Sequence, residues 1–260
     1  MSTDRSAARP AGTQLVGRVT TLLRLIGAAE NGCSTAELAL KSGLSRPTAH
    51  RILMALERDG FTGRNNVTGS WVLGEEMLVL GSVAASRDDR SDRARGVAAR
   101  LSSVTGESAF FSVLRGEETA CLIREEGSFP LRSFVLFEGV RFPLGVASAG
   151  LAILSFCSDG FIHDYLDRTD LEERYGAQHS PERVWERIAA TRKVGYAVNP
   201  GLLLEGSWGM AAAVFNDRGD PFAAVSLTGV ETRFRPERQT ELGRLLRDGA
   251  FALSSARRRP

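Results

Sequence analysis

Residues 34–61, STAELALKSGLSRPTAHRILMALERDGF, read as two helices joined by one tight turn. Ser34 with Glu37 three residues later is a capping box, in which side-chain and backbone donors satisfy each other at a helix start. Leu38 and Ala39 supply an inward face, and Gly43 ends the first helix because it can take a positive φ without steric cost. Ser45 caps the second helix, and Pro47 falls in its first turn, where a missing N–H is not missed. Ala49, Ile52, Leu53 and Leu56 form an apolar stripe at helical spacing. Arg46, Thr48, His50 and Arg51 are left near the outward N-terminal side. A short helix, a glycine turn and a cationic helix start is what reading a DNA major groove requires.

The flanks extend this unit. Leu15, Val19, Leu22 and Ile26 repeat at helical spacing and predict a third helix for the reading helix to pack on. Beyond Phe61, two short extended runs flank the polar Gly63-Arg64-Asn65-Asn66, a β-hairpin of the kind that forms the wing of a winged helix-turn-helix. Arg64 in such a wing either reaches a phosphate or the minor groove, or is a solvated loop arginine. Residues 1–73 hold nine Arg/Lys against five Asp/Glu, a net +4, whereas the remainder holds 24 basic and 26 acidic residues. That asymmetry suits polyanion binding by the first part alone.

Length and composition bound the rest. At 260 residues with 43% hydrophobic and 25% charged residues, the chain has room for about two globular domains. Cys33, Cys121 and Cys157 lie far apart with no CxxC pair, which argues against a disulfide framework and a structural zinc site. The N-terminal MSTDRSAARPAGTQ has no apolar core of a signal peptide, and no run of about 18 apolar residues exists, so the expected location is the cytoplasm of a prokaryotic cell.

Downstream, Glu75–Ala85 is helix-compatible, Arg87–Arg95 is a mixed-sign charge run, and Val97, Leu101 and Val104 resume a helical stripe. From Ser108 the period changes to that of strands. Ser108–Arg115 and Thr119–Arg124 form a hairpin about Gly116-Glu117, with a third strand expected at Arg132–Phe137. Ala147–Cys157 and Phe161–Leu166 read as helices, and Ser180-Pro181-Glu182 as a strong helix start whose helix closes at Gly195. Tyr196–Val198, Gly209–Phe215 and Phe222–Thr228 are further strands, and a last helix begins near Pro236. Strands carrying helices, without regular βαβ alternation, give an α+β domain with a largely antiparallel sheet.

Catalytic chemistry is hard to find. Ser148 in Gly145-Val-Ala-Ser-Ala-Gly150 fails the G-x-S-x-G pattern of a nucleophile elbow, since Val occupies position 146. His163 and His179 match no metal spacing and read as surface residues. No dinucleotide-binding glycine motif or P-loop is present, so neither a metal nor a cofactor is implied. Lys41 and Lys193 are the only lysines.

The residues Ser34–Phe61, Ser70–Gly74, Gly139–Leu144, Ala149–Leu154, Gly195–Ala197 and Gly219–Ser226 recur in this order in the IclR family of bacterial transcriptional regulators, which the chain resembles over about residues 14–255. The resemblance implies a flexible N-terminus (1–13), a winged helix-turn-helix DNA-binding domain (14–74), a linker helix (75–92) and a GAF-like effector-binding domain (93–255). It also implies homodimers, paired into tetramers, that repress or activate from double-stranded operator DNA. DNA contacts then fall to Arg46, Pro47, Thr48, His50, Arg51 and Arg64. Effector contacts fall to Ala147, Ser148, Ala149, Gly150, Asn199, Trp208, Gly209, Met210, Ser226 and Thr228.

Free N–H groups at a helix start favour a carboxylate, and two hydroxyls at i, i+2 of a strand face one side. This chain departs from the family where Leu151 replaces the usual lysine, Asn199 an acidic residue and Gly209 a common cysteine. Those changes point to an effector larger than the smallest keto-acids, a partly apolar carboxylate of the aromatic kind. The competing expectation is a carrier or enzyme whose N-terminal helices serve only oligomerisation. Exposed Arg46, Thr48, His50 and Arg51 would be wasted on a helix seam, which wants apolar stripes.

Overall fold

The computed structural model describes residues 11–86, 89–131 and 135–254. The chain packs as two compact units, residues 1–88 and 89–260.

The first unit is built on helices α1 (Ala11–Gly27), α2 (Thr35–Ser42) and α3 (Arg46–Arg58), the two-stranded hairpin β1 (Thr62–Arg64) and β2 (Trp71–Leu73), and α4 (Glu75–Ser86). Its core joins Leu22, Ile26, Leu38, Ala49, Leu53 and Trp71. The capping box forms, with the Ser34 N–H donating to Glu37 at 2.8 Å and the Glu37 N–H to Ser34 Oγ at 3.2 Å. Those bonds hold the Glu37 carboxyl below its ordinary pKa. Gly43 takes φ +68° at the end of α2, and the Ser45 side chain accepts from the Thr48 N–H to start α3. Such caps contribute about 1 kcal/mol each. Leu15, expected on the inward stripe of α1, is 55% exposed, because the core begins only at Leu22. No residue of α4 is buried, and Leu78, Val79, Leu80 and Val83 are exposed.

The second unit is a six-stranded sheet with helices on both faces. It contains α5 (Asp89–Thr105), β3 (Ser108–Arg115), β4 (Glu118–Glu125), β5 (Arg141–Pro143), α6 (Ser148–Ser155), α7 (Asp159–Arg168) and α8 (Leu171–Tyr175). Then follow α9 (Pro181–Val194), β6 (Ala197–Pro200), β7 (Ser207–Phe215), β8 (Pro221–Val230) and α10 (Pro236–Ser254). The strand order is β5-β4-β3-β8-β7-β6, every neighbour antiparallel. Successive residues of a strand face opposite sides. Met210, Ala212 and Val214 of β7 accordingly pack with α5 and α10, while Ala211 and Ala213 pack with α6, α7 and α9.

Several expectations are corrected here. On α5 the inward residues are Ala94, Ala98, Leu101, Ser102 and Thr105, and Val104 is 59% exposed. Of the strand expected at Arg132–Phe137, residues 132–134 lie outside the described residues and 135–137 form no strand. The free edge of β4 is taken instead by residues 139–143: Cys121 exchanges backbone bonds with Gly139 and Val140, and β5 pairs with Glu118–Ala120. His179 is fully buried rather than superficial. Its Nδ1 lies 3.0 Å from the Tyr175 carbonyl, which can only accept, so Nδ1 carries the proton and Nε2 is left without a partner among the described residues. Burial holds this imidazole below its ordinary pKa, and nearby Arg187 pushes the same way.

Candidate DNA-reading and ligand-binding sites

On α3, Ala49, Ile52 and Leu53 are buried against the core, which turns Arg46, Pro47, His50 and Arg51 outward as exposed residues, with Thr48 partly exposed. The first turn of α3 carries no acidic residue. Neither Arg46 nor Arg51 pairs with an acidic group among the described residues. Thr48 is less free, since its hydroxyl accepts from the Ser45 hydroxyl at 2.8 Å. The His50 ring meets the buried Trp71 edge-on, centroids 6.5 Å apart. The helix therefore offers two unpaired guanidinium groups and an imidazole on one surface, fixed from below by apolar packing.

Arg64 stands elsewhere. It ends β1 rather than occupying the hairpin tip, and its side chain turns back over the unit. Its guanidinium carbon lies 3.4 Å from the centroid of Trp71, Nε is 3.7 Å from Glu57, and a terminal nitrogen donates to the Gly69 carbonyl at 3.1 Å.

In the second unit a cavity opens beside the start of α6. Asn199, Gly209 and Thr228 form one row across β6, β7 and β8, and all three line it together with Ala147, Ser148, Ala149 and Trp208. The helix start has no side-chain cap, so its first N–H groups are available to an acceptor. A Cβ added at Gly209 would lie 3.0 Å from Ser148 Oγ, so the missing side chain is part of the cavity's shape. The Thr228 hydroxyl is buried without a partner among the described residues. No lining residue is charged.

Three expected residues do not line the cavity. Met210 points to the opposite face of the sheet, as its alternation with Gly209 dictates. Gly150 instead allows α6 to close on the preceding chain, since a Cβ there would be 3.2 Å from Leu144 Cα and the Pro143 carbonyl. Ser226 lies one step deeper on β8, 1% exposed, its hydroxyl also unpartnered. Asn199 lines the cavity with its hydrogen bonds already engaged: Nδ2 donates to the Val146 carbonyl at 2.8 Å, and Oδ1 accepts from the Leu202 N–H at 3.0 Å. It thereby ties the entry of α6 to the β6 edge.

Sequence reasoning missed Ser112, Thr119, Val135, Leu136, Phe142, Leu203 and Ser207, which complete the lining. A signal existed for two of them. Ser112 interrupts the apolar run Phe110–Val113, and Thr119 is the second residue of the neighbouring strand β4, next to the apolar run Ala120–Ile123; both hydroxyl residues are buried. Cys121, beside them in sequence, is no nucleophile: burial raises its thiol pKa to about 12.

The Bacterial transcriptional regulator IclR C-terminal family matches residues 83–255, and the IclR helix-turn-helix domain matches residues 15–65. The chain belongs to the IclR family. This is a family of transcriptional regulators, not of enzymes, with a helix-turn-helix DNA-binding domain and an effector domain. The chain is 27% identical over 235 residues to the Transcriptional repressor IclR of Escherichia coli, covering 90% of this chain and 86% of that one. It is 28% identical to the HTH-type transcriptional regulator KipR of Bacillus subtilis, covering 84% and 87%. Among solved structures, an IclR transcriptional regulator from Alicyclobacillus acidocaldarius superimposes with a TM-score of 0.80 at 22% identity, covering 93% and 98% of the two chains. An IclR homologue from Microbacterium hydrocarbonoxydans, solved as a complex with 4-hydroxybenzoate, superimposes with 0.73 at 21% identity and the same coverage. Among the described residues, no helix is long and apolar enough to cross a membrane.

Proposed function

We propose that this IclR-family chain is a ligand-responsive regulator that reads a pseudo-palindromic operator with the N-terminal half of α3 and senses a small organic acid in the α6 cavity. Arg46, Pro47, Thr48, His50 and Arg51 are the reading surface. The observation that carries this reading is the pair Arg46 and Arg51, exposed above a buried stripe and without an acidic partner among the described residues. A cationic helix start of this kind places side chains on base edges and phosphates in the major groove.

The sensing half rests on the uncapped α6 start facing the unpartnered Thr228 hydroxyl, with Phe142, Leu136 and Leu203 supplying an apolar body. A few convergent polar groups in an apolar cleft is the usual make-up of a small-molecule site. An uncharged lining suits a monocarboxylate with an aromatic body, and the 4-hydroxybenzoate complex of the Microbacterium homologue supports that class. The effector-binding domain is GAF-like and begins with α5 at Asp89 rather than at residue 93, preceded by the linker helix α4 (Glu75–Ser86) and the DNA-binding domain (14–74). Homodimers form through the N-terminal part, where the apolar residues of α4 stand exposed, and pair into tetramers. The site of action is the cytoplasm.

A thermal-shift screen of the full chain against aromatic and aliphatic monocarboxylates tests the sensing half, because a ligand of the folded state raises its apparent stability. At least one aromatic monocarboxylate is expected to raise the midpoint in the wild-type chain and to lose that effect in Thr228→Val, which removes the lining hydroxyl of β8. A rise produced equally in both would place the ligand away from β8.

A further inference from the structure

We infer that Arg64 is a positioning residue, which fixes the wing against the reading helix through Trp71 and makes no charge contact with DNA; this rests on the reading of α3 as the DNA-contacting helix. A cation in a wing invites assignment to a phosphate or the minor groove. Here the guanidinium is already occupied on three sides. It stacks at 3.4 Å over Trp71, faces Glu57 of α3 at 3.7 Å, and donates to the Gly69 carbonyl at the far side of the hairpin turn. These contacts tie both strands of the wing to the last turns of α3.

Trp71 is the element on which this bracing acts. It is fully buried, and its Nε1–H donates to Thr35 Oγ1 at the first position of α2, 2.8 Å away. Its backbone exchanges two bonds with Cys33, and its ring meets the His50 ring of α3. One indole thus touches the start of α2, the reading face of α3 and both strands of the wing. Capping its remaining face with a planar cation settles the angle between hairpin and helix, which a flexible ammonium would do less well.

The turn beyond Arg64 carries no charge of its own. Residues 65–70 are Asn-Asn-Val-Thr-Gly-Ser, shaped by Asn65 Oδ1 accepting from the Val67 and Thr68 N–H groups. The wing presents neutral groups at its outer end, and its placement rather than its charge is what Arg64 supplies.

Salt titration separates the two roles, because each phosphate contact contributes close to one unit to the slope of log K against log salt concentration. Full-length wild type, Arg64→Lys and Arg64→Met are compared by fluorescence anisotropy on a labelled duplex carrying the promoter region beside the chain's own gene. Arg64→Lys keeps the charge and loses the planar stack. Both variants are expected to lose about two- to fivefold in affinity, with the slope unchanged and the near-ultraviolet circular dichroism of the tryptophans altered. A lysine variant that binds like wild type, with a methionine variant whose slope falls by about one unit, would overturn the inference. Absence of salt-sensitive binding by the wild type would instead strike at the assignment of α3.

Discussion

The two units of this chain handle polar chemistry in opposite ways. In the first, the groups assigned to function stand outside a small core: Arg46, His50 and Arg51 are exposed, and folding leaves them solvated. In the second, they are inside. Thr228 Oγ1 is buried in the cavity wall, and Ser226, one step deeper on β8, is 1% exposed; neither hydroxyl has a partner among the described residues. A buried polar atom without a partner costs about 1–3 kcal/mol. A DNA reader can display its chemistry at no cost to stability, whereas a small-molecule sensor stores unmet hydrogen bonds that a ligand can satisfy.

The contrast predicts which substitutions change binding and which change folding. Replacing Arg46 and Arg51 together with alanine should cost about 1–3 kcal/mol of operator binding for each arginine that reads a base, with the melting temperature unmoved. Gel shifts and calorimetry on one preparation check both halves, and full affinity in the double variant would end the assignment of α3. Glu107 is the inverse case. Its carboxylate is 1% exposed and pairs with Arg233 at 2.7 Å and Arg238 at 2.6 Å, tying the α5–β3 junction to the segment before α10 and to the first turn of α10. Glu107→Ala should destabilise the second unit by about 2–3 kcal/mol, below the ~3–5 kcal/mol of a fully buried pair because both arginines keep some solvent contact. Denaturant unfolding followed by hydrogen exchange should place the loss in residues 89–254 and spare the first unit.

A smaller effect is tied to pH. The unfolded chain protonates histidine near the ordinary value of about 6.5, whereas folded His179 takes its proton only at lower pH. Between those values the unfolded state holds more protons, so the stability of the second unit is complete above about pH 6.5 and falls as the pH drops through the folded value. His179→Gln should flatten that fall in urea midpoints measured from pH 8 to 5. An unchanged profile would mean that the imidazole is reached by solvent.

What could be read in advance divides along the same line. The reader announces itself locally: the Ser34/Glu37 box, Gly43, Ser45 and the Ala49–Leu53 stripe act within one or two turns of chain, and each forms as its neighbours dictate. The wing hairpin was legible, but the posture of Arg64 was not, because it depends on Trp71 and Glu57 folding beneath it. In the second unit most strands and helices were legible from period and turn residues. The cavity was legible only in part, since membership is set by register across three strands. Gly209 and Met210 are adjacent in sequence and face opposite sides of the sheet. Residues 139–143 won the β4 edge from the apolar segment before them through backbone pairing, which hydrophobicity does not report. His179 reads as polar from its neighbours and is buried only because α8 and α9 close over it.

In the proposed function reading and sensing are separate, with sensing in the cavity between the α6 start and Thr228. The direct measurement is operator affinity of the full-length chain and of Gly209→Val, by anisotropy, with and without the monocarboxylate that most raises the melting temperature of the wild type. The added side chain enters the space between Ser148 and Thr228 without meeting backbone closer than 3.7 Å at its Cβ. The two proteins should bind with equal affinity without the acid, and adding it should shift the wild type alone. An equal shift in both proteins, or loss of DNA binding in Gly209→Val without any acid, would contradict that separation.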